Sequence, residues 1–111
     1  MFDVVRRARR HGIRTGLLSN SWGNAYPRHE WDGLFDAVVI SGEVGMRKPE
    51  PGIYRHTADL LGVEAVRCVF VDDLSPNVSG AANVGMVGVR HIAPEQTIDE
   101  LEALFGLALR G

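Results

Sequence analysis

The chain has 111 residues, 45% hydrophobic and 23% charged, with a net charge of −2. These proportions fit one ordinary globular domain over 1–111 and exclude a disordered tail. No apolar run nears the roughly 20 residues that span a bilayer, nothing reads as a signal peptide, and the mild charge calls for neither nucleic acid nor an anionic membrane.

The single cysteine, Cys68, fits a reducing, cytoplasmic setting. Eleven of the twelve basic residues are arginine, so Lys48 is the one lysine. A compact ammonium and a planar guanidinium are not interchangeable at a tight site. On composition alone, Lys48 is either a chance survivor of an arginine bias or a residue whose ammonium is needed.

Helix and strand alternate along the chain. Phe2 to Arg10 reads as a helix carrying apolar Val4, Val5 and Ala8, with Gly12 placed to end it. Thr15 to Leu18 is a short apolar strand that runs into Ser19-Asn20-Ser21. His29 to Phe35 suggests a short helix, and Ala37 to Ile40 a second strand ending at Ser41-Gly42. Pro51 opens a helix that Gly62 stops after Leu61. Cys68 to Val71 is a third strand ending abruptly in Asp72-Asp73. Pro76 to Val84 follows as a helix, and Val87 to Val89 as a weaker fourth strand. In the last helix Thr97 and Glu100 form a capping box, with Ile98, Leu101, Leu104, Phe105 and Ala108 as one apolar stripe. Continuous apolar strands alternating with helices predict a three-layer α/β/α, Rossmann-like fold around a parallel sheet.

Ligands of such sheets sit beyond the carboxyl ends of the strands. The polar residues collect there: Ser19 and Asn20 after the first strand, Lys48 beyond the second, Asp72 and Asp73 after the third. A hydroxyl, an ammonium and two carboxylates at one edge suit a phosphate with a divalent cation. Carboxylates are hard ligands for Mg²⁺, lysine offsets phosphoryl charge and serine donates to a phosphate oxygen. Each piece also has a plain structural role: Ser-Asn as a turn, Lys-Pro-x-Pro as a helix opening, paired acids as a polar loop. The combination carries the argument.

Leu17-Leu18-Ser19-Asn20, then Gly45-Met46-Arg47-Lys48-Pro49-Glu50-Pro51-Gly52-Ile53-Tyr54, then Val69-Phe70-Val71-Asp72-Asp73-Leu74-Ser75-Pro76-Asn77-Val78 resemble motifs two, three and four of the haloacid dehalogenase-like (HAD) hydrolases. The likeness covers nearly the whole chain, in order and spacing. It implies that Ser19 binds the transferring phosphoryl group and that Lys48 stabilises the nucleophile and developing charge. By the same likeness Asp73 is the principal Mg²⁺ ligand and Asp72 a second ligand or support. Asn20 and Asn77 shape the phosphate and metal loops. The acidic pair favours Mg²⁺-dependent phosphate-ester hydrolysis through an aspartyl-phosphate over metal-free dehalogenation. A response-regulator receiver uses similar groups, but there the acids come first and the lysine last.

The family's first motif, Asp-x-Asp, has no counterpart. Asp3 lies in the first helix with no strand before it. The cap domain is also missing, so the chain looks like the C-terminal part of a HAD-like core without its central first strand. The strands of motifs two and four then expose edges inside the core. They could pair directly, which would draw Ser19 towards Asp73, recruit a strand from another chain, or leave the fragment poorly ordered. Three functional readings follow. The chain is a phosphatase piece acting on a small phosphorylated substrate and inactive alone, a non-catalytic metal- and phosphate-binding or interaction module, or one half of a split enzyme.

The other polar features favour structural roles. Arg6, Arg7, Arg9 and Arg10 read as a solvated helix face. The four histidines, His11, His29, His56 and His91, lack metal-ligand spacing, and Asn77-Val78-Ser79 matches a glycosylation pattern by chance. Trp22, Tyr26 and Trp31 suit packing better than a substrate entrance.

Overall fold

The computed structural model describes residues 2–21 and 33–110. The elements in chain order are α1 (Phe2–Arg10), β1 (Gly16–Ser19), β2 (Ala37–Ile40), α2 (Ser41–Val44), α3 (Pro51–Leu61), a 3-10 turn (Ala65–Arg67), β3 (Val69–Asp72), α4 (Ser75–Asn83), β4 (Val87–Arg90) and α5 (Pro94–Phe105). The alternation expected from the sequence is therefore present, with differences at the boundaries.

The strands do not form one sheet. β1 pairs in parallel with β2, Gly16 opposite Ala37 through Ser19 opposite Ile40. β3 pairs in parallel with β4, Val69 opposite Val87 through Asp72 opposite Arg90. These are two separate two-stranded sheets. Direct pairing of β1 with β3, one of the expected outcomes, does not occur.

Helices cover both faces. On one side Ile53, Tyr54 and Ala58 of α3 pack with Val39, Ala81 and Met86, joined by Leu18, Cys68 and Phe70. On the other, Val4 and Ala8 of α1 pack with Leu101 and Leu109, joined by Val69 and Val71. Alternate β3 residues thus face opposite layers, as the strand's period of two requires. α1 is anchored by its arginines: Arg7 donates to the Leu109 carbonyl (3.0 Å) and Arg9 pairs with Asp36 (2.7 Å). Asp36 also accepts the Thr15 N–H at 2.7 Å. The basic face is partly a tertiary clasp rather than a wholly solvated one.

Four local expectations need correction. The helix over 29–35 is absent where the chain is described, since 33–36 is turn and bend, and 29–32 lie outside the described residues. Trp22, Tyr26 and Trp31 also lie outside them. α2 was not expected: Ser41 and Gly42 open a short helix, closed by Gly45 at φ 71°. The last helix starts four residues earlier than expected, at Pro94, whose ring presets the first helical φ. Thr97 is thus no cap. It lies inside the helix, 1% exposed, with its Oγ1 2.7 Å from His91 Nδ1. The apolar stripe also ends early, because Leu104 is 47% exposed and Ala108 is exposed beyond the helix end. Finally, β3 includes Asp72 instead of stopping before it.

Candidate active site

The carboxyl ends of β1 and β3 face one another across Lys48. Ser19 is the last residue of β1, and Asn20 follows it. The Asn20 amide clamps the lysine segment: its Nδ2 donates to the Lys48 carbonyl (3.0 Å) and its Oδ1 accepts the Lys48 N–H (2.8 Å). Asn20 therefore acts on Lys48 as much as on any ligand. Neighbouring Ser21 is tied to the start of α2, its N–H donating to Ser41 Oγ at 2.8 Å and its carbonyl accepting the Gly42 N–H at 2.8 Å. The loops after β1 and β2 are thereby fixed to each other.

Lys48 is 8% exposed. Its Nζ lies 2.6 Å from Asp72 Oδ2 and 5.6 Å from the centroid of the Phe70 ring. Asp72 also accepts the Leu74 N–H on Oδ1 (2.8 Å), and Asn77 Nδ2 lies 3.4 Å from its Oδ2. Burial opposes ionisation of Asp72, but the Lys48 ammonium and the Leu74 N–H overcome it and hold the carboxyl below its ordinary value. A neutralised carboxylate can sit within a strand, which explains why β3 runs through Asp72.

A further layer supports this pair. Buried Asn77 lies in the first turn of α4, and its carbonyl accepts the Tyr54 hydroxyl at 2.6 Å. Tyr54 is fully buried and meets Phe70 edge-on, with ring centroids 5.2 Å apart. Burial, and secondarily the Asp72 charge, pushes the Tyr54 phenol up to about 12, so it remains a neutral donor. Gly80 lets α4 approach: a Cβ there would fall 2.7 Å from Pro49 Cβ and 2.8 Å from the Tyr54 hydroxyl. Sequence reasoning did not assign Tyr54 or Gly80 to the site. The available signal was the aromatic after the Lys-Pro-x-Pro segment and the small residues trailing Asn77.

Asp73 differs from its neighbour. Asp72 turns inward to Lys48, whereas Asp73 is exposed at the strand end, its carbonyl 3.4 Å from Arg90 Nε. Among the described residues no three His, Cys, Asp or Glu side chains gather into a metal cage. Mg²⁺ does not require one, since it keeps several waters and leans on one or two carboxylates plus substrate oxygens. An exposed aspartate at a strand end is compatible with that sparse mode. A recess of about 560 Å³, lined by Asn20, Ser21, Ser41, Gly42, Gly45, Met46, Arg47 and Glu50, adjoins the Asn20 end of this edge. Among the described residues no helix is long and apolar enough to cross a membrane.

Known proteins resemble this chain in sequence and in fold. The family model for haloacid dehalogenase-like hydrolases matches residues 1–85. A sesquiterpene phosphatase of Aspergillus oryzae is 32% identical over 111 aligned residues, covering 96% of this chain and 56% of its own length. This chain therefore spans little more than half of that relative. A solved structure of a Corynebacterium glutamicum protein matches with TM-score 0.91 and 36% identity, over 99% of this chain and 82% of that one. A HAD phosphatase of Thermococcus onnurineus matches with TM-score 0.73 and 32% identity, over 93% and 55% respectively. With motifs two to four gathered at one strand edge and the family match running through most of its length, the chain belongs to the haloacid dehalogenase-like hydrolases.

Proposed function

We propose that these 111 residues form the phosphate- and metal-holding part of a HAD-core domain, in a phosphatase acting on a small phosphorylated substrate through an aspartyl-phosphate. The observation that carries this reading is the buried Lys48–Asp72 pair, held between Asn20 and Asn77 beside Ser19 and Asp73. Lys48 is fixed by its backbone and its ammonium at once, so its charge is oriented before any ligand arrives. Preorganised charge of this kind stabilises a developing phosphoryl charge without reorganisation. Ser19 donates its hydroxyl to a phosphoryl oxygen, and Asn20 keeps Lys48 in reach of the same group. Asp73 would hold Mg²⁺, with Asp72 supporting it through the loop. The cation would supply charge neutralisation at the phosphoryl oxygens.

Nucleophilic catalysis needs an activated carboxylate facing the phosphorus atom, and neither acid of the pair fills that role. Asp72 is taken up by Lys48, and Asp73 is assigned to the metal. The nucleophile therefore belongs to a segment outside these residues. With p-nitrophenyl phosphate and Mg²⁺, the chain alone is expected to give no turnover. Joined behind a strand carrying Asp-x-Asp, the motif that the family resemblance calls for, it should gain turnover that Lys48→Met reduces by roughly 10²–10³-fold. Turnover by the chain alone, or turnover in the joined protein that ignores Lys48, would contradict the reading.

A further inference from the structure

Phe70 and Asp72 alternate along β3, so their side chains leave the same face of the strand, about 6–7 Å apart. Lys48 reaches that face from the segment between α2 and α3. Its Nζ lies 2.6 Å from Asp72 Oδ2 and, over the Phe70 ring, 5.6 Å from the ring centroid. One strand therefore supplies both an anionic and an aromatic neighbour for the same ammonium.

An aromatic inside a strand ordinarily serves packing alone, and Phe70 does pack against the core of Ile53, Tyr54 and Ala58. Two features set it apart. The cation beside it is 8% exposed, and a ring face attracts a desolvated cation more strongly than a hydrated one. The ring is also backed, because fully buried Tyr54 meets it at an interplanar angle of 86°. Tyr54 is itself held: its hydroxyl donates to the Asn77 carbonyl at 2.6 Å, beside Gly80, where even a Cβ would crowd it.

The two neighbours use the ammonium differently. It carries three N–H donors and no acceptor. Asp72 accepts from it, and among the described residues no other group does. A ring face attracts the charge without taking up a donor as a carboxylate does. With Asp72 alone, the flexible four-carbon stem could swing about a single contact. A second contact from another direction removes that freedom.

We infer that Phe70 is a positioning residue for Lys48: its ring face, backed by Tyr54, seats the ammonium and leaves donors for a phosphoryl oxygen. The purpose of the positioning rests on the phosphatase reading above. The seat itself does not, and its test uses neither phosphate nor turnover.

Lys48 is the one lysine, so a chain made with isotopically labelled lysine gives a single ε-methylene signal. Its NMR relaxation reports how ordered the side chain is. In the parent chain the order parameter should exceed about 0.6, and Phe70→Leu should lower it by about half or more. Three fluorines on the Phe70 ring nearly preserve its shape but withdraw electron density from its face. That variant should loosen Lys48 as Phe70→Leu does, and it keeps the test open if Phe70→Leu fails to fold. Val4→Ala, which opens a cavity in the opposite core, controls for general loosening and should leave the signal as in the parent. The proposal is overturned if the parent signal is already that of a mobile lysine, or if either Phe70 variant leaves Lys48 fully ordered. It is equally overturned if Val4→Ala loosens Lys48 as much as they do. Loss of order in both Phe70 variants, in a chain that binds no phosphate, would sink the phosphatase reading and leave the seat standing.

Discussion

The gap between the two sheets is treated differently at its carboxyl end and along its length. At the carboxyl end a chain of polar contacts crosses it: Asn20 to Lys48, Lys48 to Asp72, Asp72 to Asn77, and Asn77 to Tyr54. Along its length the walls are apolar and the sheets stay unjoined. Site geometry is therefore set by side-chain cross-links and by the approach of α3 to α4. It does not wait for the sheet to be continuous. Along the apolar length the facing edges of β1 and β3 share no ladder bonds.

Substitutions in the two regions should separate accordingly. The largest loss is expected from Asp72→Ala, which strands a buried ammonium. Removing one partner of a buried ion pair costs about 3–5 kcal/mol, read by chemical denaturation against the parent chain. A loss under about 1 kcal/mol would mean that Lys48 swings out to water, as an exposed pair would allow. Gly80→Ala should follow at about 1–3 kcal/mol, because the added methyl meets the Pro49 backbone and the Tyr54 hydroxyl with no flexible side chain to yield. If the denaturation midpoint of this variant matches the parent, the close packing of α4 on the lysine segment is wrong.

Tyr54→Phe keeps the ring against Phe70 and removes only the donor to the Asn77 carbonyl. It should cost about 1–2 kcal/mol. On the apolar wall of the gap, Val69→Ala should cost about 1 kcal/mol or less, since Val69 is only partly buried. A Val69→Ala loss exceeding that of Tyr54→Phe would reverse the contrast between the regions.

Acid should act on the polar end. The Asp72 carboxyl is held below its ordinary value of 3.8 in the folded chain. Asp36 is lowered too, chiefly by the Thr15 N–H, and then by Arg9 against the opposing effect of burial. Groups whose folded values are depressed contribute stability that is fully present above their unfolded values. That stability is lost as the pH falls below 3.8 and through the lower folded values. Melts from pH 6 to pH 2 should therefore show a decline confined to the acid end, and Asp72→Asn should flatten it. Equal slopes in the two proteins would remove Asp72 from the acid response.

Much of this was legible in the sequence for physical reasons. Pro51 and Gly62 bracket α3 because a fixed φ starts a helix and a left-handed residue, here at φ 68°, ends one. Lys48 stood out as the one ammonium among arginines, and it lies where the three motifs converge. Other features were hidden because they depend on tertiary partners. Thr97 resembled a cap in sequence, but Pro94 starts the helix earlier and turns the threonine inward to His91. Asp72 read as the residue after a strand, because nothing local shows that Lys48, 24 positions away, neutralises it. Tyr54 was given no role at the site, since its hydroxyl matters only once the Asn77 carbonyl is brought within 2.6 Å of it. Unpaired edges on β1 and β3 were expected, but only the structure excludes their direct pairing.

The central claim is that Ser19, Lys48 and Asp73 form one phosphate-holding corner. Resonance mapping of the isotopically labelled chain during titration with inorganic phosphate and Mg²⁺ tests it most directly. The account predicts shifts at Ser19, Asn20, Lys48 and Asp73 that require both ions together and are lost in Lys48→Met. Saturating phosphate that leaves these four resonances in place, or moves only the arginines of α1, would contradict it.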